Sequence, residues 1–171
     1  LSNQKKLSEF YEELKRLGIN IIRPDINKCY ADFSSDGKNF FYALGAIKSV
    51  GFEAISKIVE ERNKNGVFKD LTDFINRVNP KYINKLQLEG LVKAGAFDNL
   101  KKNRQSLYNS IPNIILKSKN IFENNSVNQI DLFQEDNDET YLDIIDDWNV
   151  DVKLSKEFET LGFFISDHPL N

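Results

Sequence analysis

The sequence of 171 residues contains few of the residue types that form covalent cross-links or metal centres. Cys29 is the only cysteine, so no internal disulfide can form, which fits a reducing compartment such as the cytoplasm. His168 is the only histidine, which excludes a zinc site with four Cys or His ligands. No apolar run is long enough to cross a membrane, and the N-terminus lacks the apolar core of a signal peptide. These absences predict a cytoplasmic protein without a metal site or a membrane contact.

The charged residues are distributed unevenly along the chain, whose 23 Lys and Arg and 26 Asp and Glu give a net charge of −3. Residues 38–119 carry 15 basic and 7 acidic side chains, for a net charge of +8. Residues 120–171 carry 2 basic and 13 acidic side chains, for a net charge of −11. This asymmetry predicts different partners for the two parts of the chain. The alternative is that the basic and acidic parts attract each other in the folded protein.

The segment FYALGAIKSVGFEAISKIVEER, residues 41–62, has the pattern of two short helices joined by a tight turn. Apolar residues recur at helical spacing on both sides of a break at residues 49–51. We expect Gly51 to supply a backbone conformation that a side chain would resist. N–H groups at the start of the second helix stay unpaired, and the helix dipole attracts an anion there. Lys48 and Lys57 flank the turn, which therefore suits a nucleic-acid phosphate; the alternative is an ordinary hairpin whose turn faces solvent.

A second helical hairpin is predicted around Gly95. Apolar residues of the preceding helix face the core, and the chain then turns towards three cations, Lys101, Lys102 and Arg104. The next helix begins near Asn103. Two such hairpins would pack as a pseudo-symmetric pair and contact a nucleic-acid backbone at two points. Alternatively, Gly95 is only a helix C-cap and the three cations form a solvated face.

Weaker patterns predict the elements around the two hairpins. We expect a helix over 8–17 that ends at Gly18, and a strand or extended arm over 19–22. A small β-hairpin is predicted from 30–33 and 39–42. Asp70 is a predicted helix N-cap, Pro80 is predicted in the first turn of the next helix, and a later helix is expected to kink at Pro112. The first helix would bury one apolar stripe, Phe10, Leu14 and Leu17, and the last helix another, Leu154, Phe158 and Leu161.

Residues 120–140 have the composition of an irregular acidic linker. Within it the sequence QIDLF, residues 129–133, places the large apolar residues Leu132 and Phe133 side by side in a polar stretch. Either this pair docks on the chain's own surface, or it inserts as an anchor into a pocket of another protein. A later acidic cluster is interpreted as solvated rather than metal-binding, and its members are Asp143, Asp146 and Asp147.

Five segments together resemble the alpha subunit of bacterial DNA polymerase III, a C-family replicative polymerase. They occur in the family's order and read GINIIRPDIN, YALGAIKSVG, LEGLVKAGAFD, QIDLF and ETLGFFISDHPLN. The resemblance implies that residues 1–41 end the fingers domain and that 42–119 form the tandem helix-hairpin-helix region that contacts duplex DNA. It implies that 120–140 bind the sliding clamp and that 141–171 lead to an oligonucleotide-binding fold. The clamp-binding residues would be Gln129, Asp131, Leu132 and Phe133.

One residue departs from the family pattern. Ser49 stands where the family's hairpin has glycine, and a positive backbone φ at a serine is costly. The resemblance also implies that catalysis, with its Mg²⁺-binding aspartates, belongs to a palm domain outside this chain. Because the chain lacks an initiator methionine and begins within a helix pattern, we expect a piece of a longer enzyme.

These patterns predict a mainly α fold: a tandem helix-hairpin-helix bundle with a small N-terminal β-hairpin and an irregular acidic linker. The fragment would not catalyse; it would bind duplex DNA non-specifically, dock on the sliding clamp and work with other subunits of the replicative holoenzyme. The DNA contacts would come from Lys48, Ser49, Val50, Gly51, Lys57, Lys93, Gly95, Lys101, Lys102 and Arg104. The acidic tail would oppose DNA, so deletion of 120–171 should improve duplex affinity.

Two other functions remain open on the sequence. The first is a stand-alone helix-hairpin-helix protein that binds DNA, such as a repair accessory factor. The second is an all-α scaffold in which the basic and acidic parts pack together and no DNA is bound.

Overall fold

The computed structural model describes residues 2–126 and 139–161, which form seven α-helices and one small sheet. The helices are α1 (Ser2–Arg16), α2 (Phe52–Asn65), α3 (Leu71–Arg77), α4 (Lys85–Lys93), α5 (Arg104–Asn109), α6 (Ile111–Ser126) and α7 (Val150–Leu161). Short 3₁₀ turns at Leu44–Ala46 and Pro80–Tyr82 precede α2 and α4. None of the described helices has the length and apolar character that a membrane crossing requires. The predicted mainly α fold is confirmed.

The sheet contains three short strands, β1 (Asn20–Ile22), β2 (Ser34–Ser35) and β3 (Asn39–Phe41), with β3 in the centre. Strand β1 pairs with β3 in parallel, and β2 pairs with β3 in the antiparallel direction of a hairpin. The first hairpin strand was predicted over 30–33, and this placement was wrong. The carbonyl oxygens of residues 30 and 31 instead accept the N–H groups of Leu44 and Gly45, at 2.8 and 2.9 Å.

Asparagine and aspartate side chains begin several helices. The Asp70 carboxylate accepts the N–H of Asp73 at 2.7 Å, which confirms the predicted N-cap of α3. Asn84 and Asn103 cap α4 and α5 in the same way. These caps satisfy N–H groups that have no partner within the helix, and they explain why each helix starts where it does.

The helical segment that includes Pro112 breaks at Ser110 instead of kinking at the proline. Helix α5 ends at Asn109 and α6 begins at Ile111, so Pro112 lies in the first turn of α6. A proline is tolerated there because a first-turn N–H has no helical partner. Asn79 and Pro80 begin a 3₁₀ turn, and α4 follows after the cap at Asn84.

Helix α6 extends into the segment that was predicted as an irregular linker. It continues to Ser126, so residues 120–126 are helical and the linker prediction was wrong for them. Ile111 and Ile114, at the start of this helix, are buried. Ile121 continues the same apolar stripe into the polar end of the helix and packs partly against the core. The QIDLF segment and the rest of the predicted linker up to residue 138 lie outside the described residues.

One hydrophobic cluster extends from α1 to α7. It includes Tyr11, Ile26, Phe74 and Leu161, so parts of the predicted fingers end, the hairpin region and the last helix share a core. The predicted stripes at both ends are only partly buried. Leu14, Leu154 and Leu161 are buried, but three other stripe residues are exposed: Phe10, Leu17 and Phe158. Helix α7 is therefore part of the fold and not an appendage.

Candidate nucleic-acid interface

The first candidate turn connects the 3₁₀ turn Leu44–Ala46 to α2. Ser49 has a φ of 72°, whereas Gly51 has φ −75° and ψ 131°, an extended conformation open to any residue. The expectation that Gly51 supplies the special backbone conformation was therefore wrong. The N–H of Val50 donates to the carbonyl oxygen of Ile47 at 3.1 Å, and this closes a four-residue turn. Ser49 is the third residue of that turn, a position where positive φ favours glycine.

Helix α4 packs against the interior side of this turn. The N–H of Gly51 donates to Oε1 of Gln87 at 3.2 Å, and Nε2 of Gln87 donates to the carbonyl oxygen of Tyr82 at 2.8 Å. Gly90 permits the close approach, because a Cβ there would lie 2.5 Å from the carbonyl oxygen of Lys48. Sequence reasoning missed Gln87 and Gly90. Their only signal is a polar residue and a glycine within an otherwise apolar helix face.

The exposed part of the turn lies at the N-terminus of α2. Lys48, Ser49 and Gly51 are exposed, whereas Val50 is buried. Gly51 is the N-cap and offers no side chain to the first N–H groups of the helix, so these face outward with the positive end of the helix dipole. Glu53 in the first turn partly offsets this positive potential. Lys48 forms no ion pair within the described part of the chain.

Lys57 lies one and a half turns further along α2 and is engaged with a neighbour. Its Nζ is 3.2 Å from a carboxylate oxygen of Glu60, and both side chains are largely exposed. The hydrogen bond that Lys57 donates to this carboxylate raises the pKa of Lys57. The pair is solvated, so Lys57 remains accessible to a second anion at little cost.

The second candidate turn, after α4, is closed by an interior ion pair. Gly95 has a φ of 80° and is buried beneath the guanidinium of Arg104. That guanidinium contacts Asp98 at 2.7 Å and Glu157 of α7 at 3.0 Å. The side chains of Arg104 and Glu157 are 5% and 1% exposed. Arg104 and Gly95, which were predicted to contact DNA, are therefore interior residues, and the geometry contradicts a phosphate contact at either.

The lysines around this second turn differ in their partners. Lys93 Nζ lies 2.9 Å from Glu159, and Lys101 Nζ lies 2.8 Å from Glu139. Lys102 is exposed, and no described residue forms an ion pair with it. Acidic residues from the end of the chain thus pair with the basic segment. This is the arrangement that the charge distribution left open as an alternative.

Helix α7 touches both turns. The N–H of Lys48 donates to the carbonyl oxygen of Thr160 at 3.0 Å, while Glu157 holds Arg104 beside the second turn. Deletion of 120–171 would remove these contacts and uncover the core at Leu161. The expected gain in duplex affinity on that deletion no longer follows, because the shortened chain would lose part of its fold.

One carboxylate of the acidic cluster near Trp148, that of Asp147, is bound internally, whereas Asp143 and Asp146 are exposed. A carboxylate oxygen of Asp147 lies 2.8 Å from Lys153 and the other accepts the N–H groups of Gln105 and Trp148. Burial would raise the pKa of Asp147, but the lysine and the two N–H groups outweigh it and lower the pKa. In residues 2–126 and 139–161, no three metal-ligating side chains converge on one point.

Both turns fall within a region of the chain that matches the model of a known protein family. Residues 18–107, just over half of the chain, match the model of the helix-hairpin-helix motif. The chain belongs to the helix-hairpin-helix motif family.

The wider chain is similar to one kind of protein throughout. It is 36% identical to DNA polymerase III subunit alpha of Caulobacter vibrioides, over 99% of its length. The same subunit of Borreliella burgdorferi is 35% identical and that of Escherichia coli 34%, each over 100% of the chain. The chain spans about 15% of the length of each of these curated relatives. The resemblance predicted from the sequence is confirmed.

Proposed function

We propose that the chain is a non-catalytic segment of a replicative DNA polymerase that binds the backbone of duplex DNA and docks on the sliding clamp. Similarity to DNA polymerase III subunit alpha over the whole chain supports the first part. The longer enzyme would be a DNA-directed DNA polymerase of the cytoplasm. Its catalytic Mg²⁺ ions would be held by residues outside this chain, and it would act with the other subunits of a holoenzyme.

The observation that carries the DNA proposal is the exposed turn before α2. It combines a helix N-terminus without a side-chain cap, the exposed Ser49 and the exposed Lys48, which forms no ion pair with any described residue. Backbone N–H groups and a lysine bind phosphate oxygens without reading a base, so the contact would be independent of sequence. Gln87 would position the turn from within the fold, because it accepts the N–H of Gly51.

Lys48→Ala tests this contact on the 171-residue chain. Affinity for a random-sequence duplex is measured by fluorescence anisotropy at several salt concentrations. Loss of one phosphate contact should reduce the slope of log affinity against log salt by about 0.9. Lys38→Ala is the matched control, since Lys38 is exposed in the turn between β2 and β3 and is not part of the turn before α2. Equal effects of the two variants, or wild-type binding that ignores salt, would contradict the proposal.

Clamp docking is proposed from the residues Gln129, Asp131, Leu132 and Phe133. Two adjacent large apolar side chains in an acidic stretch are suited to insertion into a pocket of a partner. The double variant Leu132→Ala with Phe133→Ala should abolish pull-down of a bacterial sliding clamp and leave thermal unfolding unchanged. Leu116→Ala with Phe122→Ala, an exposed apolar pair on α6, is the matched control and should keep capture. A strong drop in the unfolding temperature of the first variant would place the pair in a core instead.

The second candidate function is an interaction scaffold that binds no DNA. Three ion pairs between the basic segment and the end of the chain favour it, those of Lys93, Lys101 and Arg104. The charge reversal Lys101→Glu with Lys102→Glu separates the two functions. Because the change breaks the Lys101–Glu139 pair under either function, the deciding measurement is duplex affinity. A DNA-binding segment should lose this affinity, whereas a scaffold should bind no duplex before or after the change.

A further inference from the structure

The carboxylate of Glu159 pairs with one lysine and feels the charge of two others, each from a different element. Lys93, the last residue of α4, places its Nζ 2.9 Å from Oε1 of Glu159. Lys156 lies one turn earlier on α7, on the same helix face. The backbone of Lys48 lies beside the same stretch of α7, since its N–H donates to the carbonyl oxygen of Thr160, the residue after Glu159. The charge of Lys48 acts on the Glu159 carboxylate without forming an ion pair with it.

Two aromatic rings hold the lysines in this arrangement. The Nζ atoms of Lys93 and Lys156 lie 5.6 and 5.9 Å from the centre of the Tyr108 ring. Lys156 Nζ is also 5.5 Å from the ring centre of Trp148. Both amines therefore border the same ring of α5, and the attraction between a cation and a ring favours these positions. Lys93 and Lys156 are thus neighbours in the fold although they are far apart in sequence.

The electrostatics of the cluster favour an anion. Burial would lower the pKa of Lys93, but the hydrogen bond and charge of Glu159 outweigh it and raise the pKa. The hydrogen bond from Lys93 lowers the pKa of Glu159, and the charges of Lys156 and Lys48 add to this effect. The Glu159 side chain is 47% exposed, whereas Lys93 is 13% exposed. A fixed amine thus faces a carboxylate that solvent can reach and that can rotate away.

We propose that Lys48, Lys93 and Lys156 form a phosphate-binding subsite that Glu159 occupies, and that a phosphate of the duplex backbone replaces this carboxylate when DNA binds. The inference rests on the proposed DNA binding and extends it to Lys156, which the sequence did not suggest. A phosphodiester carries one negative charge and accepting oxygens, as the carboxylate does. Glu157, two residues earlier, is buried on Arg104 and stays in place.

Glu159→Gln is the direct test, in the 171-residue chain with a random-sequence duplex. Without the competing charge, affinity at fixed salt should rise about three- to fivefold, the factor expected from losing a half-exposed ion pair. Glu12→Gln is the matched control, because it removes the same net charge from an exposed position on α1. It should change affinity by less than about twofold, since an exposed charge that forms no ion pair with the lysine cluster is screened by solvent and salt.

Lys156→Ala tests the subsite without altering Glu159. It should reduce the slope of log affinity against log salt by about 0.9, the effect of one phosphate contact. Thermal unfolding of each variant is measured alongside to confirm that the fold is kept. If wild-type binding depends on salt but Glu159→Gln matches Glu12→Gln, or Lys156→Ala keeps the wild-type slope, the subsite is disproved and the proposed function stands. If no variant binds duplex with a salt dependence, the proposed function itself fails and the subsite with it.

Discussion

Replacement of Arg104 by leucine is expected to destabilise the protein strongly. The guanidinium lies between Asp98 at 2.7 Å and Glu157 at 3.0 Å, with only 5% of the Arg104 side chain exposed. Leucine would fill part of the space but would remove the cation that faces the carboxylate of Glu157, whose side chain is only 1% exposed. Removal of one member of a buried ion pair costs about 3–5 kcal/mol. Asp98 is 27% exposed and can turn to water, so the cost arises chiefly at Glu157.

Urea unfolding measures this effect through the fluorescence of Trp148, the only tryptophan. Its ring lies 5.5 Å from that of Tyr108, centre to centre, so it reports on packing between α5 and the segment before α7. The double variant Arg104→Leu with Glu157→Leu should regain most of the loss, because apolar residues often replace a buried pair without cost. Lys102→Leu, at an exposed neighbour, should change stability by less than about 0.5 kcal/mol. The reasoning is refuted if Arg104→Leu is as mild as Lys102→Leu.

Two further predictions concern packing and pH. Gly90→Ala should lower the free energy of unfolding by about 1–3 kcal/mol, because its methyl group would lie 2.5 Å from the carbonyl oxygen of Lys48. Gly51→Ala is the control, because its methyl group would meet only Gln87, at 3.7 Å. If the two variants lowered the unfolding temperature equally, the close packing at Gly90 would be contradicted. Asp147 has a lowered pKa, so its stabilisation is complete above the ordinary value of 3.8 and is lost as pH falls through the lower native value. Asp147→Asn should therefore flatten the decline of unfolding free energy between about pH 5 and about pH 2, and an unchanged slope would count against the contact.

Local features of the structure were predictable from the sequence because they depend on residues close together in the chain. Asp70 caps α3 through a bond to the N–H three residues later. Gly95 ends a helix with positive φ, as a glycine after an apolar run indicates. The similarity to DNA polymerase III subunit alpha was predictable in the same way, since it depends on the order of short segments.

The first turn shows where local reasoning failed. Gly51 looked special, but the positive φ falls on Ser49, because the hydrogen bond from Val50 to Ile47 decides which residue occupies the corner. Gly90 matters for packing because the Lys48 carbonyl approaches it closely. Lys48 and Gly90 are far apart in the sequence, so no local pattern revealed this contact.

The sequence by itself determined the mainly helical character, the Asp70 cap, the helix-hairpin-helix resemblance and the separation of charge into a basic and an acidic part. Only the tertiary structure decided which cations of the basic part remain available to a partner. Lys93 meets Glu159 across 66 residues and Arg104 meets Glu157 across 53. These pairs exist because α7 packs across α4 and the second turn, and charge counts cannot predict where a distant helix will lie. Lys48 and Arg104, both cations of the basic part, thus become an exposed group and an interior one.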